Sequence, residues 1–356
     1  MRDVIIISGC NWEDFNIPER LARSASLLGA RVLYCSSPVS RFKHPLSPLK
    51  EFEPGIFGFA PRIWAHRLNR WPIPSAIQSR LIADQISQHA RDLNLRNPII
   101  LYGYMAGTLP VCQELKRRGY FMVHILGDYP QAKLLEHVAL ADQMLAVIRS
   151  GFHRLRADFG DTVHFLPEIA PTIDDQIRYA EAKVEHPLLA GIPRPRLVYL
   201  GPPHERLHAK LLREMLTARP DWHFVHFGPA RANDLSNFHG LSWIPKGSLD
   251  SILAGTDVGF MPYDLRIERD FNCAPLKLFD YFAAGLPVVS TPILYVWNME
   301  ELVYTGDTAR ELIAAVEFAL NEPPEDPRRA RRKEIAKEHS IENIAKLMAG
   351  ILPFDR

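Results

Sequence analysis

Short apolar runs alternate with helix-length segments in two series along this chain, and a proline-rich interval separates the series. The first opens on Val4, Ile5, Ile6 and Ile7, which run without polar interruption into Ser8-Gly9-Cys10-Asn11. A strand apolar on both faces belongs inside a parallel sheet with helices above and below it. Leu21, Ala22, Ala25, Leu27 and Leu28 recur at helical spacing behind Pro18, Gly29 stops that helix, and residues 31–35 give a second strand. Strands at 98–102, 121–126, 143–147 and 163–166 follow, with helices at 109–118, 131–140 and 151–159. Alternation at this spacing predicts a parallel sheet covered on both faces.

From 167 to 195 the pattern breaks into proline-rich pieces around one polar helix near 173–184. The second series has strands at 197–200, 223–227, 241–244 and 258–261, helices at 205–217 and 249–254, and terminal helices at 308–320 and 341–351. The charges of 323–337 are mixed and predict a solvated helix. At 356 residues the chain exceeds one typical core. The expected organisation is an N-terminal Rossmann-like domain at 1–170, a linker at 171–196, a C-terminal Rossmann-like domain at 197–340 and a last helix at 341–356 free to cross back. The fold class is therefore α/β, with two parallel-sheet domains facing across a cleft. Ligands in such sheets bind beyond the carboxyl ends of strands, where Gly9, Asn11 and Asp128 lie. A simple turn is the plain alternative for Gly9 and Asn11.

With 42 Lys and Arg against 41 Asp and Glu, no global charge imbalance points to nucleic acid, so any anion site must be local. The first strand is not followed by Gly-x-Gly-x-x-Gly, which disfavours a nicotinamide oxidoreductase. Cys10, Cys35, Cys112 and Cys273 show no paired spacing and fit a reducing cytoplasm. The N-terminus reads as a strand, and the most apolar window, 279–297, is broken by Asp280, Pro287 and Pro292, so no membrane-crossing helix is expected.

The stretch 272–292 reads as a loop, an amphipathic helix starting after Pro275, a stop at Gly285 and a strand through Val288 and Val289. Lys277 and Asp280 are one turn apart near the helix start. A phosphate and a sugar hydroxyl would suit them, because helix N-terminal amides favour an anion. An ordinary surface Lys–Asp pair is the plain alternative. Between Pro54 and Ile82, Phe57, Phe59, Trp64 and Trp71 mix with Arg62, Arg67, Arg70 and Arg80 without an acidic residue. Such a mixture suits a membrane interface or an anionic headgroup; a loop with packed aromatics and solvated arginines is the alternative. His204-Glu205-Arg206-Leu207-His208 fits a zinc-protease pattern, but Leu211 and Glu214 replace the residues of its extended form, and no metal site is assigned.

Pro262-Tyr263 followed by the run from Pro275 to Val289 resembles GT-B glycosyltransferases, and in particular bacterial polysaccharide enzymes of the xanthan glucuronosyltransferase and teichuronic-acid glycosyltransferase type. Gly127-Asp128-Tyr129 with Ala141-Asp142, and Tyr199-Leu200-Gly201 with Pro220–Phe224, support the resemblance. It implies that the C-terminal domain holds a nucleoside-diphosphate sugar, UDP-linked by preference, and that the N-terminal domain receives a lipid-linked or glycan acceptor. Lys277 would neutralise the diphosphate with amides near Ala274 and Leu276, while Gly201, Arg206 and Tyr263 would line the donor. Asp280 falls where retaining families carry the second glutamate of a Glu-x7-Glu pair, implying ribose contact; Asn272 stands at the first position.

Asp128 matches the residue that acts as base in the xanthan-type enzyme, which implies inversion; capping the next helix is its structural alternative. Gly9 and Asn11 would line the cleft, and Glu136 and His124 would support Asp128. The chain lacks Asp-x-Asp, so metal-independent transfer with no cofactor is expected, in the cytoplasm and peripheral to the inner membrane face. A retaining transferase, a noncatalytic nucleotide- or glycan-binding protein and a sugar-nucleotide epimerase are the alternatives.

Overall fold

The computed structural model describes residues 2–12, 17–43, 48–65, 72–103, 108–126, 134–201, 206–227, 234–241, 246–266 and 275–354. The chain forms two units: Met1–Ile169 with Ile341–Arg356, and Ala170–Ser340.

In the first unit, β1 (Val4–Ile7), α1 (Ile17–Leu27) and β2 (Val32–Cys35) open the fold. They are followed by β3 (Val39–Ser40), β4 (Lys50–Glu53), β5 (Ile56–Phe59), β6 (Arg62–Ile63) and α2 (Pro72–Asp92). Then come β7 (Ile99–Gly103), α3 (Leu109–Arg117), β8 (Phe121–Leu126), α4 (Leu134–Val138), β9 (Gln143–Ala146), α5 (Arg149–Phe159) and β10 (Val163–Phe165). The main sheet has the order β10-β9-β8-β7-β1-β2-β5-β4 and is parallel except where β4 runs against β5. Every residue of β1 and β2 is buried, as the apolar runs require. The helix Ile341–Ile351 packs on α1, where Ser24 Oγ donates to the Ile341 carbonyl at 3.2 Å.

The segment 54–82 is not a long loop. Phe57 and Phe59 alternate because they lie in β5, and Phe59 is 3% exposed in the core against His89. Arg67, Arg70 and Trp71 lie outside the described residues.

The second unit contains α6 (Ile173–Glu181), β11 (Arg196–Tyr199), α7 (Ala209–Ala218), β12 (His223–Phe227), β13 (Phe238–Leu241), α8 (Leu249–Ala254) and β14 (Val258–Met261). It continues with α9 (Leu276–Ala283), β15 (Val288–Ser290), β16 (Val303–Thr305), α10 (Ala309–Leu320) and α11 (Pro327–Glu338). Its sheet, β13-β12-β11-β14-β15-β16, is wholly parallel and has the doubly wound order of dinucleotide-binding folds. The interval expected as a linker belongs to this unit, because α6 packs on α8 and α9 and buried Leu189 joins the core.

Helix α2 was not expected, and two expected helices differ in detail. α7 starts at Ala209, not 205, because His208 Nδ1 accepts from the Leu211 amide at 3.1 Å and caps it there. α11 is not simply solvated. Arg332 lies fully buried in a two-bond pair with buried Glu322, at 2.6 and 2.8 Å.

Candidate functional site

Strand order in the second sheet reverses between β11 and β14, so the connections leaving their carboxyl ends diverge. Gly201 and Tyr263 follow these two strands, and α9 is anchored at the same place. Tyr281 fixes the helix: its hydroxyl donates to the Val198 carbonyl at 2.8 Å and accepts from the Leu200 amide at 2.9 Å. Burial holds this phenol well above its usual range, so it remains a donor. Its ring lies flat on Gly259, where a Cβ would come within 2.5 Å of ring carbons. β14 therefore needs glycine at this point.

One helical turn before Tyr281, Lys277 reaches back along the same face of α9. Its Nζ lies 4.2 Å from the centre of the Tyr199 ring and donates to Tyr263 Oη at 3.2 Å. The two tyrosines are buried and meet edge to face, 6.2 Å apart. Gly201 beside them adopts φ +128°, a conformation that favours glycine, while a Cβ there would make only ordinary contact with Tyr199 and Lys277. Lys277 has no carboxylate partner among the described residues. An ammonium has three donors, of which the Tyr263 bond uses one. The first turn of α9 follows Pro275 and has no side-chain cap, so its amides add to the same positive potential. The arrangement can neutralise an anion carried beyond the strand ends.

The other donor-side candidates take different places. Tyr263 is 1% exposed, so its role runs through Lys277 rather than through an open face. Asp280 is buried and Leu276 half-buried on α9. Arg206 precedes α7 in a turn, and its carbonyl accepts from the Asp264 amide at 2.6 Å. Hydrogen bonds from Arg266 lower the Asp264 carboxyl to about 2, which commits that carboxylate to the arginine. Residues 206–208 are not helical, so His208 is not presented on a helical turn as the zinc pattern requires. Asp128, Asn272, Ala274, His204 and Glu205 lie outside the described residues.

In the first unit the strand order reverses between β1 and β7. Gly9 turns there at φ +64° with its carbonyl held by Ser37 Oγ, and Asn11 is exposed. Glu136 is exposed on α4. The adjacent His137, which no sequence pattern singles out, is buried and stacks on His124 with ring centres 5.5 Å apart. Tyr102 completes this cluster, donating to the His137 carbonyl at 2.7 Å. Burial, then the neighbouring His137, pushes the His124 imidazole down to about 3.

Residues 205–350 match the family model described as glycosyl transferase-like. The chain is 31% identical over 156 residues to the putative teichuronic acid biosynthesis glycosyltransferase TuaH of Bacillus subtilis (strain 168). That match covers 40% of this chain and 38% of the relative's length. Among solved structures, one from E. coli described as trehalose-6-phosphate bound with UDP-2-fluoro glucose superposes at TM-score 0.70 with 13% identity, over 98% of each chain. The α,α-trehalose 6-phosphate synthase of Burkholderia multivorans gives 0.67 and 12%, again over 98% of each. These likenesses establish the GT-B fold, with Rossmann-like parallel-sheet domains. No described helix is long and apolar enough to cross a membrane.

Proposed function

We propose that the protein is a glycosyltransferase that moves a sugar from a nucleoside-diphosphate sugar to a lipid-linked or glycan acceptor in polysaccharide synthesis. The observation that carries this reading is the Lys277 ammonium, held by Tyr199 and Tyr263 at the uncapped start of α9, beside the reversal point of the second sheet. The glycosyl transferase-like match over 205–350 contains Lys277, Tyr263 and α9 and supports this reading. In this reading Lys277 and the α9 amides neutralise the diphosphate as the C1–oxygen bond breaks, without a metal or cofactor. Asp128 takes the acceptor hydroxyl's proton as its oxygen attacks C1 from the opposite face, which inverts the anomeric centre. The donor is a UDP-sugar, and the enzyme works peripherally at the membrane that carries its acceptor.

Retention is the second reading, because one solved structure of this fold, at TM-score 0.65 and 14% identity, concerns glycosyl transfer with retention by trehalose-6-phosphate synthase. The anomeric configuration of the product separates the two. A thermal-shift panel of nucleoside diphosphates and their sugars tests the donor role. A midpoint rise with UDP or GDP that disappears in Lys277→Ala is expected. If no nucleotide raises the midpoint, the donor assignment fails.

A further inference from the structure

Residues 36–50 contain three Lys or Arg and residues 54–83 contain four, and neither stretch has an acidic residue. Against a whole-chain net charge of +1, this is a strong local excess. The fold brings the two stretches to one corner of the first unit. β3 pairs with β6, and the Arg41 amide donates to the Ile63 carbonyl at 2.8 Å. α2 then grips the second stretch through two glutamines. Gln85 accepts from the Arg62 amide at 2.9 Å and donates to its carbonyl at 3.1 Å. Gln78 does the same at Ala65, at 3.1 and 3.2 Å.

The corner therefore presents Arg41, Phe42 and Lys43 on one side and Arg62, Ile77 and Arg80 on the other, all exposed, with exposed Lys50 at the start of β4. Phe42 is 78% exposed and Ile77 40% exposed, large for apolar side chains. Lys43, Lys50 and Arg80 have no ion-pair partner among the described residues. The corner lies at the carboxyl end of the first sheet, because residues 36–43 leave β2 there and residues 60–65 leave β5. Ser37 Oγ ties it to Gly9 at the reversal point.

We infer that this corner docks on a bilayer rich in anionic phospholipid, with the five cations in the headgroup layer and Phe42 and Ile77 entering the interface. Charge alone would also suit a nucleic acid. The two exposed apolar side chains among the cations favour the bilayer, where they leave water. The inference deepens the reading of a membrane-borne acceptor, and its test uses no nucleotide, so it can fail while the donor assignment stands.

The full chain is sedimented with vesicles of phosphatidylglycerol and phosphatidylcholine, and with phosphatidylcholine alone, at low and high salt. Binding to the anionic vesicles only, reversed by salt, is expected. Each exposed cation should contribute about five-fold to the partition coefficient, so Arg41→Ala, Lys43→Ala and Arg62→Ala together should lower it roughly 100-fold. Phe42→Ser should weaken it with the charge unchanged, and unaltered unfolding midpoints show that the variants fold. Equal binding to neutral vesicles, no binding to either kind, or a preference for single-stranded DNA over the anionic vesicles overturns the proposal.

Discussion

The Lys277 ammonium and the Tyr199 ring lie 4.2 Å apart, so a buried aromatic face at the end of β11 holds the cation that α9 delivers. Such a contact orients a charge without neutralising it. Lys277→Ala should lower affinity for a nucleoside diphosphate by roughly 10- to 100-fold, the weight of a lost charge-assisted bond. The loss of affinity for the parent nucleoside should be small. Tyr199→Phe should match the parent, whereas Tyr199→Leu should lose about three- to ten-fold. Titration calorimetry with UDP and uridine checks this; equal losses for both would place Lys277 away from the phosphates.

Tyr281 joins α9 to β11 through hydrogen bonds to Val198 in the strand and to Leu200 just beyond its end. Tyr281→Phe leaves the Leu200 amide and the Val198 carbonyl without that partner and should cost about 1–3 kcal/mol. Because the helix then loses its anchor one turn from Lys277, nucleotide affinity should fall with stability. Urea unfolding and a nucleotide titration on the same variant read the two effects; an unchanged affinity in a destabilised protein would show that Lys277 is placed independently.

Most strands of the two sheets were legible because parallel strands buried on both faces must be apolar throughout, as in Val4–Ile7 and Val258–Met261, but β5 and β16 were not expected and β13 lies at Phe238–Leu241 rather than 241–244. The start of α9 and the stop at Gly285 were legible from proline and glycine chemistry. β4, with sequence Lys-Glu-Phe-Glu, and the two-residue strands β3 and β6 have no such pattern, since only tertiary pairing makes them strands. Of the candidate site, Lys277 could be chosen by residue type and position. The Tyr199 contact and the Tyr281 anchor depend on which strand lies beside which, and local spacing does not encode that. Arg332, in a run of charged residues, and His137, a lone histidine on a short helix, were hidden for a related reason: only packing reveals each as buried.

His124 links stability to pH. Its folded pKa of about 3 lies below the ordinary histidine value of 6.5, so as pH falls below 6.5 the unfolded chain takes up a proton that the folded chain refuses. Stability is full above pH 6.5 and declines toward pH 3. The slope should be about 1.4 kcal/mol per pH unit, or roughly 2 kcal/mol between pH 6.5 and 5 from this residue. Burial also lowers His137, which acts in the same direction. His124→Phe should flatten the decline. Urea unfolding at the two pH values decides, and a variant as pH-sensitive as the parent would remove His124 from the account.

Arg332 and Glu322 form the most deeply buried ion pair among the described residues, both side chains being fully enclosed. Arg332 Nε also donates to the Leu302 carbonyl at 2.8 Å, and Tyr304 donates to Glu322 at 3.1 Å, so the pair joins α11 to the β16 side of the second sheet. Arg332→Met would leave Glu322 buried without this partner, a loss of about 3–5 kcal/mol. Arg329, 3.2 Å from Glu322, and Arg328, at 3.8 Å, can compensate in part, which argues for the lower end. Replacing both residues, as Arg332→Met with Glu322→Leu, removes the uncompensated charge and should recover most of the loss. Equilibrium urea unfolding of the single and double variants measures the difference. A double variant no more stable than Arg332→Met alone would mean that the hydrogen bonds to Leu302 and Tyr304, rather than the buried charge, dominate at this position.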